Sequence, residues 1–186
     1  MPDWSQIVFS MDLAHALVAY LIREYKRVSR KKLGRTILQK LCYFAKAAGV
    51  PIPFRFDIYH YGPFSQEVFE TVDDLILDGV IADESPDRSQ SSYTTGVNCD
   101  LLLRTFQGEL DSYKRQLENV AETFSLLDPS SMELVSTIHY IHASWFTGVP
   151  RKEEVVNAVW EIKRPKFERE LVDKAYDVLA TAGLLR

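Results

Sequence analysis

Cysteine is scarce: the chain has two, Cys42 and Cys99, far apart and outside any Cys-x-x-Cys pair or spaced Cys/His set. A disulfide framework and a zinc motif are thereby excluded, and both side chains read as free thiols of a reducing compartment. Long apolar runs are missing as well. No window approaches the roughly 18 consecutive apolar residues that a spanning helix needs. The opening MPDWSQIVFSMD carries acids where a signal peptide wants bases. No membrane association and a cytoplasmic location are therefore expected. Neither a G-x-S-x-G turn nor a phosphate-cradling glycine loop is present. With Cys42 on an apolar helical pattern, the expectation is a protein without a catalytic residue or a cofactor.

What is present is ordinary globular material. Hydrophobic residues make up 46% and charged residues 26% of 186, which argues against disorder and fibrous repeats and suits one domain or two small lobes. The net charge of −4 hides an asymmetry: residues 1–66 hold 10 Lys/Arg against 4 Asp/Glu, a balance of +6, and residues 67–186 hold 12 against 22, a balance of −10. The front is basic and the back acidic.

Apolar residues Leu13, Leu17, Leu21, Tyr25 and Val28 recur at helical spacing behind Ser10, a candidate cap. A second pattern, Ile37, Leu38, Leu41, Phe44, Ala45 and Ala48, stops at Gly49. Residues 54–62 alternate as one short strand, with Phe54, Phe56 and Ile58 on one side. Gly62 and Pro63 break it. Ser65 then stands to cap a third helix, with Phe64 stapled on Phe69, Val68, Val72, Leu75 and Ile76 facing inward, and Gly79 at the end. Two β-like runs around a polar tip, 84–92, outline a wing. The element order is that of a winged helix.

Leu103, Phe106, Leu110, Tyr113, Leu117, Val120, Phe124 and Leu127 alternate in steps of 3 and 4. They predict one long helix with a heptad stripe, used for core packing or for a homodimer. Asp128 and Pro129 end it, and Ser130 with Glu133 reads as a capping box opening a helix with Leu134, Ile138, Ile141 and Trp145. Two more helices follow, carrying Val155, Val156, Val159 and Ile162, then Leu171, Ala175, Val178 and Leu179, with Gly183 as a closing cap. The expected class is α+β and mostly helical: a winged-helix-like N-terminal half with a small sheet, residues 1–99, followed by a helical region, 100–186, that packs on it as one compact unit.

Three clusters are candidate sites. Arg23, Lys26, Arg27, Arg30, Lys31, Lys32 and Arg35, extended by Lys40, have Glu24 as the one acid among them. Such density suits either nucleic-acid backbone or a solvated helix end. The predicted third helix carries Glu67, Glu70, Asp73, Asp74 and Asp78 and no base, which speaks against ordinary groove reading. In YHYGPFS, residues 59–65, the rings either form a recognition surface or, the reading preferred from composition, fill space behind a Gly-Pro turn. Tyr59, His60 and Trp145 are the candidate protein contacts. His139 and His142 share a helix face but lack a third ligand nearby, so they read as packing or surface histidines and no metal is expected.

Thr36, then Leu38, Gln39, Lys40 and Leu41, the aromatic pair Tyr43 and Phe44, the turn Tyr61, Gly62 and Pro63, and Gly79 form a pattern over about fifty residues. In it the chain resembles YwgA-like bacterial and phage proteins, related in pattern to Panacea (SocA-antitoxin-like) domains. The resemblance implies a non-enzymatic, mainly helical module with a small sheet, of bacterial or prophage origin, that binds a partner protein, in the Panacea case a toxin. Nucleic-acid-binding regulation through residues 23–40 is the alternative.

Overall fold

The computed structural model describes residues 11–87 and 90–185. The chain falls into two compact units: the first runs up to Phe56 and resumes over Ser65–Leu127, and the second takes Asp57–Phe64 and the chain from Asp128 onward. Each is helical with a small antiparallel sheet, so the α+β, mostly helical class holds. The expected division at residue 99 differs from these units, because the helices that follow it pack with the first unit as far as Leu127.

In the first unit, α1 (Leu13–Val28) is capped by Asp12, whose carboxylate accepts from the His15 N–H at 3.2 Å. Ser10 lies outside the described residues. α2 (Arg35–Ala47) and α3 (Gln66–Leu77) form where predicted, although Ala48 lies exposed beyond α2 and the Ser65 hydroxyl donates to Glu67 and makes no cap bond, and β3 (Ile81–Asp83) pairs with β4 (Tyr93–Thr95) as the expected hairpin. Val68, Val72 and Leu75 are buried, but Ile76 is 37% exposed and does not face inward.

The predicted long helix is instead three: α4 (Cys99–Thr105), α5 (Gln107–Asp111) and α6 (Lys114–Phe124). Phe106 (φ −106°, ψ 19°) and Tyr113 (φ −120°, ψ 2°) leave helical geometry at the joints. A straight helix drifts off a strict seven-residue repeat. Leu103, Leu110, Leu117, Val120 and Phe124 are nonetheless all buried, and Phe124 stacks on Phe44 at 4.1 Å. These five positions of the stripe belong to the core, and Phe106, Tyr113 and Leu127 are half-buried.

In the second unit, α7 (Pro129–Ser144), α8 (Lys152–Lys163) and α9 (Arg169–Thr181) pack on one another around Leu134, Ile138, Ile141, Val155, Val156, Val159, Val172 and Tyr176. The capping box expected at Ser130 is not formed. Asp128 caps α7 by accepting from the Ser131 N–H at 2.8 Å, with Pro129 in the first turn, and Glu133 is 1% exposed inside the unit. α9 is also turned from its expected face: Val172, Tyr176 and Leu179 are buried, whereas Leu171 and Val178 are exposed. Gly183 closes it as expected, with the paired bonds Leu184 N–H to Leu179 and Gly183 N–H to Ala180.

The single strand expected over residues 54–62 is a hairpin: β1 (Asp57–Tyr59) pairs with β2 (Gly62–Phe64) across His60 and Tyr61. Gly62 at φ +87° reverses the chain where a mere break was expected. The two hairpins form separate sheets, so the strand ahead of α3 does not pair with β3 or β4 as a winged-helix sheet would have it.

Candidate functional site: the braced aromatic hairpin

The register is Asp57 to Phe64, Ile58 to Pro63 and Tyr59 to Gly62. Tyr59 and Gly62 close the turn, so Pro63 falls at the alternate position, where a strand needs no N–H toward its partner. Gly62 is required twice over. Besides its left-handed φ, a Cβ there would stand 2.8 Å from Thr137 Oγ1, 3.2 Å from Ser136 Oγ and 3.3 Å from the Glu133 carbonyl. Ser136 and Thr137 both donate back to that carbonyl, at 3.1 and 2.7 Å. α7 thus offers a small, internally satisfied seat for the hairpin backbone.

The turn is also held by charge. Lys163, at the end of α8, donates to the His60 carbonyl at 2.6 Å and to Glu133 Oε1 at 3.0 Å, and Lys166 pairs with the other Glu133 oxygen. Burial pulls the Lys163 pKa below its ordinary 10.5, against the pull of Glu133. The Lys166 ammonium lies 5.2 Å from the Tyr61 ring centroid, within cation–π range.

On this brace the rings face outward. Tyr59 is 59% and Tyr61 63% exposed, and His60 is exposed. The space-filling reading is overturned for these residues, because a two-residue turn with its backbone against α7 leaves its side chains no interior to enter. Tyr59 keeps one edge contact, to Phe64 at 5.2 Å. Trp145 is half-exposed but sits eight residues beyond Thr137, about 12 Å along the α7 axis at the helical rise. It is not grouped with Tyr59 and His60.

Of the family-like motif, Tyr61, Gly62 and Pro63 lie in the hairpin of the second unit, and residues 38–44 serve structure in the first. Gln39 accepts from the Ser65 N–H at 3.0 Å and donates to the Ser65 carbonyl at 2.9 Å, so one amide satisfies both backbone groups where the chain leaves the hairpin. Leu38, Lys40, Leu41, Tyr43 and Phe44 are buried around it.

The basic run is divided among local partners. The buried Glu24 takes Arg27 at 2.6 Å and Arg23 at 3.5 Å; Arg27 also meets Glu122 at 3.7 Å, and Arg23 meets Asp100 at 3.9 Å. Lys31 donates to the Leu126 carbonyl, Lys32 to Gln90 at 3.4 Å, and Arg35 lies over Phe69. Lys26 is half-buried and Arg30 exposed.

Burial pushes the Cys42 thiol up to about 12 and Cys99 up to about 11, which keeps both protonated and unreactive. His139 is driven down to about 4 by burial and by His142. Among the described residues, no three His, Cys, Asp or Glu side chains cluster as metal ligands, and no helix is long and apolar enough to cross a membrane.

Sequence reasoning missed Glu133 and Lys163. A capping role had absorbed the first, and nothing in the local pattern marks the second.

No protein-family model matches the chain. It is similar to the protein named uncharacterized protein YwgA of Bacillus subtilis (strain 168). The two are 28% identical over 147 residues, 77% of this chain and 82% of that protein. The likeness spans most of both chains and supports the YwgA-like resemblance carried by the motif.

Proposed function

We propose that the chain is a non-enzymatic protein-binding module, antitoxin-like in kind and of bacterial or prophage origin, that meets its partner through Tyr59, His60 and Tyr61. The supporting observation is the exposure of two tyrosines on a turn whose backbone is fixed by the Gly62 seat and the Lys163 bond. Rigid aromatic anchors gain contact area on binding with little ordering cost. The Panacea-like pattern adds the idea of a toxin as partner. Nucleic-acid binding draws less support: Arg23 and Arg27 already answer Glu24, Asp100 and Glu122. If α1, α2, α3 and the β3–β4 hairpin are taken as a winged helix, the helix in the reading position carries acids and no base.

Affinity recovery of the tagged chain from its native host tests this. One stoichiometric protein partner is expected, and Tyr59→Ala with Tyr61→Ala should lower its recovery about tenfold, as loss of anchor residues does. Recovery of the chain alone, or with nucleic acid only, refutes the reading.

A further inference from the structure

Two of the most exposed apolar side chains lie together in the first unit. Leu77, at the end of α3, is 83% exposed, and Val97, just after β4, is 93% exposed. The backbone holds them near each other. Gly96 donates to the Val80 carbonyl, Asn98 donates to the Gly79 carbonyl, and a Cβ on Gly79 would stand 3.8 Å from Val97 Cγ2. Ile76 is partly exposed beside them.

Leu77 ends a single helical stripe. Glu70, Asp73, Asp74 and Leu77 follow the i, i+3, i+4, i+7 spacing, and all four are exposed. α3 contains no Lys, Arg or His, and its C-cap is Asp78. Glu67, at the other end, is occupied by the Ser65 hydroxyl and the Arg55 N–H. His15 Nε2 lies 3.3 Å from the Asp74 carboxylate.

This arrangement opposes the helix that carries it. Glu70 with Asp74 and Asp74 with Asp78 are like charges four apart, and the last turn places acids at the negative end of the helix dipole with no basic residue of that turn beside them. Departures from local consistency of this sort concentrate at functional surfaces, where something external offsets them.

We infer that this face, the Glu70–Asp73–Asp74–Leu77 stripe with Val97, is a docking surface for a cationic amphipathic helix of a partner protein, its Lys/Arg stripe along α3 and an apolar residue on Leu77 and Val97. Charge complementarity selects that occupant. Anionic polymers are repelled, and the apolar end gives a helix a fixed register. The surface lies in the first unit and does not rest on the hairpin reading.

Fluorescence anisotropy with a labelled peptide of about 18 residues, long enough to be helical on binding, tests the inference. One peptide places lysine on a single stripe with leucine one turn beyond, and a second has the same composition in scrambled order. The ordered peptide should bind about tenfold more tightly than the scrambled one, and Leu77→Ser with Val97→Ser should cost about tenfold in its affinity without changing net charge. Glu70→Gln with Asp73→Asn should weaken binding and flatten its salt dependence. Glu109→Gln with Asp111→Asn, exposed acids elsewhere in the unit, should change nothing. Since Leu77 and Val97 are exposed, the core of each variant stays intact, which thermal melts verify. No binding, equal binding of both peptides, or indifference to the Leu77 and Val97 changes overturns the proposal.

Discussion

Replacing Glu133 by glutamine keeps the shape of the side chain and removes its charge. Lys163 is then left in the interior, 5% exposed, with the His60 carbonyl and a neutral amide in place of a carboxylate. Breaking a buried pair by neutralising one member costs about 3–5 kcal/mol. The pairing with Lys166, 43% exposed, adds no more than about 1 kcal/mol because solvent screens it. The expected loss is thus about 3–5 kcal/mol, which lowers a melting midpoint by roughly 10 °C for a chain of this size.

Urea titration followed by circular dichroism measures it. A companion variant, Glu133→Leu with Lys163→Met, removes both charges and keeps the volume. It should lose less than Glu133→Gln, about 1–3 kcal/mol, chiefly because the His60 carbonyl is orphaned. Since burial lowers the Lys163 pKa from 10.5, the unfolded chain binds a proton that the folded chain releases, and stability of Glu133→Gln rises as pH climbs toward 10.5. A loss under about 1 kcal/mol for Glu133→Gln, or a companion worse than the single change, refutes the claim that this pair is dehydrated and coupled.

Two further outcomes follow from the same unit. Gly62→Ala should cost roughly 1–3 kcal/mol, from left-handed strain and the crowding against Thr137, and an unchanged thermal melt excludes that account. His139 titrates at about 4 in the fold against 6.5 in the free residue, so acidification between those values protonates the unfolded chain first and stability falls. His139→Phe should flatten that slope in urea titrations across the window; an identical slope assigns the loss to other groups.

Helix positions were legible because their signals are local. The stops at Gly49, Gly79 and Gly183 each carry a positive φ, as a closing glycine should. The failures are places where tertiary contacts override a local pattern. A 3-4 repeat reads as one rod, yet Phe106 and Tyr113 leave helical geometry and split it into three helices while Leu103, Leu110 and Leu117 all stay buried. The S-x-x-E at Ser130 has the form of a cap, but an acid within reach of two lysines some thirty residues on gains more as an ion partner. The aromatic turn was visible as composition. Its outward orientation was not, since that depends on Ser136 and Thr137, which are distant in sequence and small enough to admit the Gly62 backbone.

The ion cluster and the turn have one explanation between them. For stability alone, a buried Lys–Glu pair is no better than apolar residues of equal volume. An apolar pair could not, however, satisfy the His60 carbonyl, whose direction fixes the peptide between the two exposed rings. Lys163 supplies one N–H to that carbonyl and another to Glu133, and Lys166 completes the carboxylate while standing over Tyr61. A long cationic side chain with three donors meets that requirement; leucine or methionine does not. The brace therefore fixes the backbone between Tyr59 and Tyr61, the rigidity that the proposed partner contact through these rings relies on.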